Sequence, residues 1–315
     1  MVKSSSSSSE TADVQSVLEA VYKSAKRFVG RGKVATYIPA LARVPKEKFG
    51  MAVVAVDGSE AVVGDAEEAF SIQSISKVFS LLLAMRLRDQ ELWKRVGREP
   101  SGNPFNSLVQ LEYEKGVPRN PFINAGAHIT TDCIVVGNDD PKQAILAEVR
   151  ALAGNPAIDF DMEVAESERE HGYRNAAIAN FLKANGNLES EVDDVLDVYF
   201  HQCSIAMSCR DLARAGSFLA NRGVDVATGR RIATERKTRR INALMATCGL
   251  YDAVGSFAFH VGVPAKSGVG GGMLAIIPGE MAVAVWSPGL DAQGNSYVGV
   301  KALELFTAKI GRSIY

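Results

Sequence analysis

The sequence predicts an α+β fold in which an antiparallel sheet is flanked by helices and a mainly helical domain is inserted. Two observations lead to this prediction. Short runs of strand composition lie near the two ends of the chain, and helical periods dominate between them. We therefore assign residues 11–74 and 251–315 to a sheet lobe, residues 75–250 to a helical domain, and residues 1–10 to a disordered tail.

The amino-terminal part of the lobe is predicted to contain one helix and a β-hairpin. Apolar residues recur with a helical period over Val14–Phe28. The apolar run Phe49–Asp57 is followed by the turn-forming pair Asp57-Gly58 and by Ala61–Val63, which is the pattern of two strands joined by a tight turn.

The carboxyl-terminal part is predicted to contain three strands and a final helix. The strand candidates are Phe257–Val263, Gly272–Ile277 and Met281–Trp286, the last two joined through Pro278-Gly279. Their close spacing favours an antiparallel meander. The apolar segment Tyr297–Ile310 has a helical period, and we expect it to lie on the sheet beside the first helix.

Between these ends the strand patterns fade and further helices are predicted. They are Lys142–Ala153, Ala176–Ala184, Val192–Phe200 and Asp211–Asn221. The densest apolar stretch, Ile75–Leu87, is interrupted by charged residues and is shorter than the roughly 20 residues that span a bilayer. We interpret it as a buried core helix.

Composition and charge exclude several function classes. The chain has 315 residues, of which 47% are hydrophobic, and its 35 Lys and Arg residues nearly balance 36 Asp and Glu residues. The balanced charge provides no field that would hold nucleic acid or an anionic membrane. The serine run at the amino terminus lacks the apolar segment of a secretory signal. We therefore expect a cytoplasmic protein whose four cysteines are reduced and buried.

A serine and a lysine three residues apart form the first candidate for catalysis. Ser74 and Lys77 lie at the start of the apolar helix, where positions i and i+3 share one face, so the hydroxyl and the amine can meet. Apolar surroundings lower the pKa of a lysine, because desolvation disfavours its charged form. The neutral amine can then accept the serine proton. Alone, this spacing also fits a helix-capping serine and a lysine that extends to the surface.

The tripeptide Lys266-Ser267-Gly268 strengthens the catalytic interpretation. It follows a strand candidate and precedes a glycine run at 270–272 that would let a substrate approach the strand backbone. An SxxK helix paired with Lys-Ser/Thr-Gly on a strand occurs in penicillin-recognising serine hydrolases. A strand N–H group can then complete an oxyanion hole.

Further segments around these motifs carry a more specific resemblance. They are residues 37–39, 74–77, 99–102, 120–127, 167–170, 174–175, 197–200, 248–252 and 257–272. Together they resemble the glutaminase family in its short bacterial form, over nearly the whole chain from about residue 35 to residue 297. The resemblance implies a β-lactamase-like fold and the hydrolysis of L-glutamine to L-glutamate and ammonia, which is an amidohydrolase reaction.

The resemblance also implies catalytic roles, residue by residue. Ser74 matches the family's nucleophile, Lys77 the group that activates it, and Lys266 the strand lysine. Tyr199 and Tyr251 match active-site tyrosines that bind substrate and are candidates to pass a proton to the departing ammonia.

Substrate-binding roles follow from the same resemblance. Val269 matches the residue whose N–H joins that of Ser74 in the oxyanion hole. The other matching positions that hold the substrate are Tyr37, Asn124, Glu168 and Asn175.

A glutamine ligand explains why these residue types would meet. Its ammonium needs an anionic partner, which Glu168 can supply, and Asn124 and Tyr37 can donate to its carboxylate. Ser74 would attack the side-chain carbonyl and form a γ-glutamyl ester that water hydrolyses. No metal or organic cofactor enters this mechanism, and the four histidines lack metal-ligand spacing. His260, inside a strand candidate, is expected to be a core side chain.

Two alternatives remain open at this point. A penicillin-recognising peptidase or lactamase would share the chemistry, but such enzymes act outside the cytoplasm and their substrates lack the ammonium that Glu168 would bind. A catalytically silent, assembling protein is the second alternative, against which the intact Ser74 and Lys77 argue. The resemblance further implies a homo-oligomer, either a dimer or a tetramer, and a small-molecule ligand rather than a nucleic-acid or membrane partner.

Overall fold

The structure, a computed structural model, describes the backbone of residues 7–315 and the side chains of residues 14–315. Most of the tail predicted for residues 1–10 therefore lies outside the described residues. The first helix begins at Ser7, within the range assigned to the tail, and the extent of the tail remains a prediction.

The strands of the described chain form two antiparallel sheets. In chain order they are β1 Gly50–Ala55, β2 Glu60–Gly64, β3 Phe70–Ser71, β4 Asp159–Phe160, β5 Ile205–Met207, β6 Ala265–Ser267, β7 Gly272–Ile277 and β8 Met281–Trp286. The larger sheet has the order β2-β1-β8-β7-β6 and the smaller one β3-β5-β4. Because β1 and β8 come from opposite ends of the chain, their pairing closes the larger sheet around a long helical segment, as predicted.

The helices of the described chain account for most of that segment. They are α1 Ser7–Ala25, α2 Pro39–Ala42, α3 Ser76–Arg88, α4 Leu92–Arg95, α5 Leu108–Tyr113, α6 Asn124–Gly137, α7 Pro141–Ala153, α8 Met162–His171, α9 Tyr173–Ala184, α10 Val192–Ser204, α11 Cys209–Ala220, α12 Glu235–Cys248, α13 Val254–His260 and α14 Tyr297–Ile310. The sequence-predicted helices correspond to α1, α3, α7, α9, α10, α11 and α14. Across residues 7–315, no helix combines the length and apolar content needed to cross a membrane.

The larger sheet is buried on both faces, which explains the continuous apolar runs of its strands. Met51 of β1 pairs with Val63 of β2 on one side and with Val285 of β8 on the other. Met51 belongs to the core beneath α1 and α14, whereas the next residue, Ala52, belongs to the core beneath α11. The predicted hairpin and the β7–β8 pair are both confirmed.

The strand predicted at Phe257–Val263 is wrong, because Val254–His260 forms helix α13. Phe257 and Val261 are buried while Phe259 is 85% exposed, so the apolar residues follow a helical spacing of four rather than a strand spacing of two. His260 is consequently not a core side chain. It is half exposed, with Nδ1 3.7 Å from a carboxylate oxygen of Glu304.

The smaller sheet was not predicted, because its strands are only two or three residues long. It nevertheless fixes the chain immediately before Ser74. Ser71 of β3 pairs with Ala206 of β5, and the N–H of Ile72 donates to the carbonyl of Ile205 at 2.9 Å.

Candidate active site

Ser74 lies in a single 3₁₀ turn, Gln73–Ile75, between β3 and the first residue of α3. Gln73 has φ of +50°, a left-handed conformation that costs about 1 kcal/mol for a residue with a side chain. Ser74 is 6% exposed and stands where backbone N–H groups at a helix start point outward. This turn therefore presents a hydroxyl beside preorganised donors.

Lys77 is completely buried on the first turn of α3. Its Nζ donates to Asn124 Oδ1 at 2.7 Å and to the carbonyl of Phe122 at 3.3 Å. Burial lowers the pKa of Lys77 to about 8, although the Glu168 carboxylate opposes this effect. The predicted desolvated lysine is thus present one helical turn after Ser74.

Asn124 begins α6 and is held by a rigid turn. Asn120 Oδ1 accepts hydrogen bonds from the N–H groups of Phe122 and Ile123, at 3.0 and 3.1 Å. A β-carbon at Gly126 would lie 1.9 Å from the carbonyl oxygen of Asn120, so only glycine allows this close approach.

Asn124 also contacts a second asparagine. Its Nδ2 donates to Asn175 Oδ1 at 2.8 Å, which joins the start of α6 to α9. The two amides and Lys77 therefore form one continuous hydrogen-bond chain.

Glu168 is a buried carboxylate on α8, with 6% exposure. Desolvation raises the pKa of Glu168 to about 7, against a hydrogen bond from Gln73 and the charge of Lys77, which lower it. Tyr37 is about half exposed at the mouth of the site. The site thus holds a carboxyl group that ionises near neutral pH.

The two predicted tyrosines are both buried beside the lysines. The Tyr251 hydroxyl donates to the carbonyl of Ser267 at 3.5 Å, and its interaction with Ser74 acts to lower the pKa of Tyr251. Desolvation raises the pKa of Tyr251 to about 12 and that of Tyr199 well above its usual value. The Tyr199 ring centroid lies 5.8 Å from Lys77 Nζ. Both phenols are therefore protonated at neutral pH.

Lys266 is fully buried on β6, as expected for the strand lysine. Its Nζ donates to the carbonyl of Ser267 at 2.6 Å and lies 4.5 Å from the ring centroid of Tyr251. Desolvation, followed by the charge of Lys77, lowers the pKa of Lys266 well below its usual value.

The end of β6 approaches the Ser74 turn. A β-carbon at Gly268 would lie 3.3 Å from the amide nitrogen of Ser74. Within the described residues, the N–H of Val269 donates no backbone or side-chain hydrogen bond. Two main-chain donors, at Ser74 and Val269, therefore stand on neighbouring segments, which is the arrangement that an oxyanion hole requires.

A cavity of about 80 Å³ connects most of the predicted residues. Those that line it are Tyr37, Ser74, Asn124, Glu168, Asn175, Tyr199 and Val269. The other three, Lys77, Tyr251 and Lys266, lie in a buried layer and do not line this cavity. A larger pocket of about 440 Å³ lies elsewhere, against Trp93 and Leu244, and contains none of the predicted residues.

Sequence reasoning missed several lining residues, including Gln73, Phe105, Asn106 and Arg174. Phe105 lies 4.7 Å from Tyr251 between ring centroids, and its carbonyl accepts from the N–H of Asn124 at 2.9 Å. The carbonyl of Asn106 accepts from Arg174 Nε at 3.0 Å. The loop before α5 therefore covers the site. This loop follows residues 99–102, which match the family, and that closeness in sequence could have indicated its role.

Metal-ligand clusters and cysteine pairs are both absent among the described residues. Among residues 14–315, no three His, Cys, Asp or Glu side chains cluster as metal ligands. The cysteines Cys133, Cys203, Cys209 and Cys248 are all buried and unpaired.

Comparison with known proteins identifies the family. The family model described as glutaminase matches residues 32–315. A thermolabile glutaminase of Rhizobium etli is 56% identical over 96% of this chain and 99% of its own length. A glutaminase of Aeromonas salmonicida is 56% identical over 95% of this chain and 98% of its own length.

Solved structures agree with this assignment. A structure described as the probable glutaminase ybaS superposes with a TM-score of 0.91 at 36% identity, covering 96% of this chain and 98% of that one. The glutamate form of Mglu gives a TM-score of 0.86 at 33% identity, covering 96% of this chain and 68% of that one. The predicted β-lactamase-like fold is confirmed, and the chain belongs to the glutaminase family.

Proposed function

We propose that this chain hydrolyses L-glutamine to L-glutamate and ammonia through a γ-glutamyl ester on Ser74. The observation that carries the proposal is the cavity in which the Ser74 hydroxyl and the buried Glu168 carboxylate lie together. One of the similar solved structures, that of Mglu, is described as its glutamate form. Glutamate is the product of the proposed reaction.

Lys77 is the base that activates Ser74. A neutral amine has two N–H groups and one lone pair, and both N–H groups have acceptors in Phe122 and Asn124. The lone pair therefore remains available for the serine proton. With a pKa of about 8, a useful fraction of Lys77 is already neutral near pH 7.

The substrate's charged groups are recognised separately. Glu168 pairs with the ammonium, because a buried carboxylate is a strong partner for a desolvated cation. Asn124, Asn175 and Tyr37 donate hydrogen bonds to the carboxylate. The side-chain amide is thereby directed towards Ser74.

Ser74 attacks the amide carbon, its proton passes to Lys77, and the N–H groups of Ser74 and Val269 hold the oxyanion. When the C–N bond breaks, Tyr251 or Tyr199 donates a proton to the departing ammonia and is reprotonated from Lys77. Water then attacks the ester, its proton returns through Lys77, and Ser74 leaves as the hydroxyl. Lys266 keeps Tyr251 in place through its ring contact.

The penicillin-recognising alternative is disfavoured by Glu168, which would repel the carboxylate of a lactam. A fluorescent penicillin that labelled Ser74 stably would support that alternative instead. The assembling-protein alternative predicts that the wild-type chain releases no ammonia.

The test is ammonia and glutamate release from L-glutamine, compared with L-asparagine and D-glutamine. We expect turnover of L-glutamine and a loss of at least about a thousandfold in Ser74→Ala. Ser59→Ala, on the β1–β2 turn, is the matched control with unchanged turnover. Equal rates for wild type and Ser74→Ala would overturn the proposal.

We also infer a cytoplasmic homo-oligomer, either a dimer or a tetramer. The four buried, unpaired cysteines are compatible with a reducing compartment. Sedimentation velocity of the full chain measures its oligomeric state. A monomer at micromolar concentration would contradict the inferred homo-oligomer.

A further inference from the structure

We propose that Asn175 is a positioning residue that acts on Lys77 through Asn124, so that substrate recognition and activation of Ser74 share one hydrogen-bond chain. The proposal rests on the function proposed above. Its geometric basis is the pair of bonds from Lys77 Nζ to Asn124 Oδ1, 2.7 Å, and from Asn124 Nδ2 to Asn175 Oδ1, 2.8 Å.

The direction of the chain follows from what each group can donate. A lysine ammonium has three donors and no acceptor, so the atom of Asn124 that faces it must be the amide oxygen. The NH₂ group of Asn124 then faces Asn175, which must present its own oxygen. Each amide orientation therefore determines the next.

This direction decides whether Lys77 can act as a base. With Asn124 Oδ1 and the carbonyl of Phe122 accepting its two N–H groups, the neutral amine keeps its lone pair free. If the amide of Asn124 turned over, its NH₂ group would donate to that lone pair and the base would be lost. The oxygen of Asn175 prevents the turn by holding the Asn124 NH₂ group.

The chain also reaches the ligand. Asn124 and Asn175 both line the cavity that contains Ser74 and Glu168. A substrate carboxylate bound to their N–H groups would favour the same amide orientation that leaves Lys77 competent. A purely binding role for Asn175 would instead affect KM and leave Lys77 unchanged.

The first measurement needs no turnover. Lysine ¹³Cε NMR titration of the substrate-free protein follows Lys77, whose resonance is assigned by its absence in Lys77→Arg. Asn124→Asp places an anion beside the ammonium and should raise the titration midpoint by about 1 to 3 pH units. Asn175→Leu, which keeps the branching at Cγ but removes the acceptor, should lower the midpoint, since the Asn124 amide can then turn. Asn180→Asp, exposed on the same helix, is the matched control with an unchanged midpoint.

The second measurement is kinetic. Asn175→Leu should lower kcat for L-glutamine at least about tenfold, whereas Asn175→Asp, which still accepts from Asn124, should keep kcat within about threefold and raise KM through repulsion of the substrate carboxylate. Asn175→Ala serves as a second acceptor-free variant, and circular dichroism establishes that each variant is folded.

The proposal is overturned if Lys77 titrates at the wild-type midpoint in the folded acceptor-free variants, or if these variants raise KM alone. Failure of the proposed function is distinguishable. If the wild-type chain released no ammonia but the variants showed the expected shifts in the Lys77 titration, the proposed glutaminase activity would be refuted. The proposed hydrogen-bond chain would still be supported.

Discussion

A β-carbon added at Gly268 would lie 3.3 Å from the amide nitrogen of Ser74 and 2.5 Å from the carbonyl oxygen of Ile72. Both neighbours are main-chain atoms, so no side chain can rotate away to make room. The end of β6 and the Ser74 turn therefore touch only because residue 268 has no side chain. This contact holds the N–H of Val269 beside that of Ser74.

Gly268→Ala should lower kcat by about a hundredfold, because a shift of about 1 Å in an oxyanion donor costs that much. Steady-state ammonia release measures the effect. Gly255→Ala is the matched control, since a β-carbon there meets no atom within 4 Å. An unchanged kcat in Gly268→Ala would mean that this contact does not position the oxyanion donors.

Lys77 should produce a rise in kcat/KM as pH increases through about 8. The pKa of Lys77 is lowered to about 8 by burial, and only the neutral amine can accept the Ser74 proton. Lys77→Arg should lose activity across the whole pH range, since a guanidinium is not deprotonated in proteins. A Lys77→Arg enzyme with measurable turnover and the same pH profile would assign the base elsewhere.

Glu168→Gln should raise KM for L-glutamine about tenfold or more, with a smaller effect on kcat. The substitution keeps the shape but removes the charge that strengthens the hydrogen bond to the ammonium. In the wild type, KM should rise as pH falls through about 7, where Glu168 becomes protonated. A KM that matches wild type in the variant would remove Glu168 from ammonium binding.

The carboxyl group of Glu168 should also affect the stability of the fold. Stability should fall as pH rises, whereas glutamine binding should improve. The folded pKa of Glu168 is about 7, above its value in the unfolded chain, so the folded state binds more protons between these values and loses stability as pH rises. Glu168→Gln should therefore have a higher Tm than wild type at pH 8, with the difference vanishing towards pH 4. Scanning calorimetry of the ligand-free protein measures both points.

His128→Leu should raise the free energy of unfolding by about 1 kcal/mol. His128 is completely buried on α6, and neither ring nitrogen has a hydrogen-bond partner in the described chain, so each carries an uncompensated desolvation cost. Leucine removes both polar atoms with little change in volume. The partly offsetting loss is the contact between the His128 and Tyr199 rings, whose centroids are 4.7 Å apart.

The stability difference between wild type and His128→Leu should widen as pH falls below about 6.5. Desolvation lowers the pKa of His128 to about 3. Between this pH and about 6.5, the histidine therefore binds a proton in the unfolded state but not in the folded state. Tm measured at pH 5 and pH 8 tests this trend. If the Tm difference between wild type and His128→Leu were the same at pH 5 and pH 8, the His128 ring would have to be hydrated in the folded protein.

The proposed catalytic pair and much of the fold could be predicted from local patterns. Ser74 and Lys77 follow from spacing and an apolar helix, and β7 and β8 from apolar runs around a Pro-Gly turn. These features depend on neighbours in sequence. Glu168 and Asn175 lie on helices with ordinary polar composition, so only the family resemblance indicated their positions.

The misses have physical causes as well. The aromatic run around Phe257 has strand composition, but the burial of Phe257 and Val261 is set by packing on α12 and the sheet, which local propensity does not contain. The left-handed conformation of Gln73, between β3 and α3, is not typical of glutamine and was not predicted. The division at residues 74 and 250 into two domains remains a prediction, and α11, from inside the helical segment, lies directly on the larger sheet.

The N–H groups of Ser74 and Val269 lie on neighbouring segments in space, but almost two hundred residues of sequence separate them. A nascent chain that has left the ribosome only as far as α12 already contains the proposed nucleophile, its proposed base and most of the proposed ligand contacts, yet it lacks Val269, the second proposed oxyanion donor, and the strand β6 that precedes it. Such a chain would not yet hydrolyse glutamine, and hydrolysis would begin only after β6 and Val269 have been synthesised and have folded against the Ser74 turn.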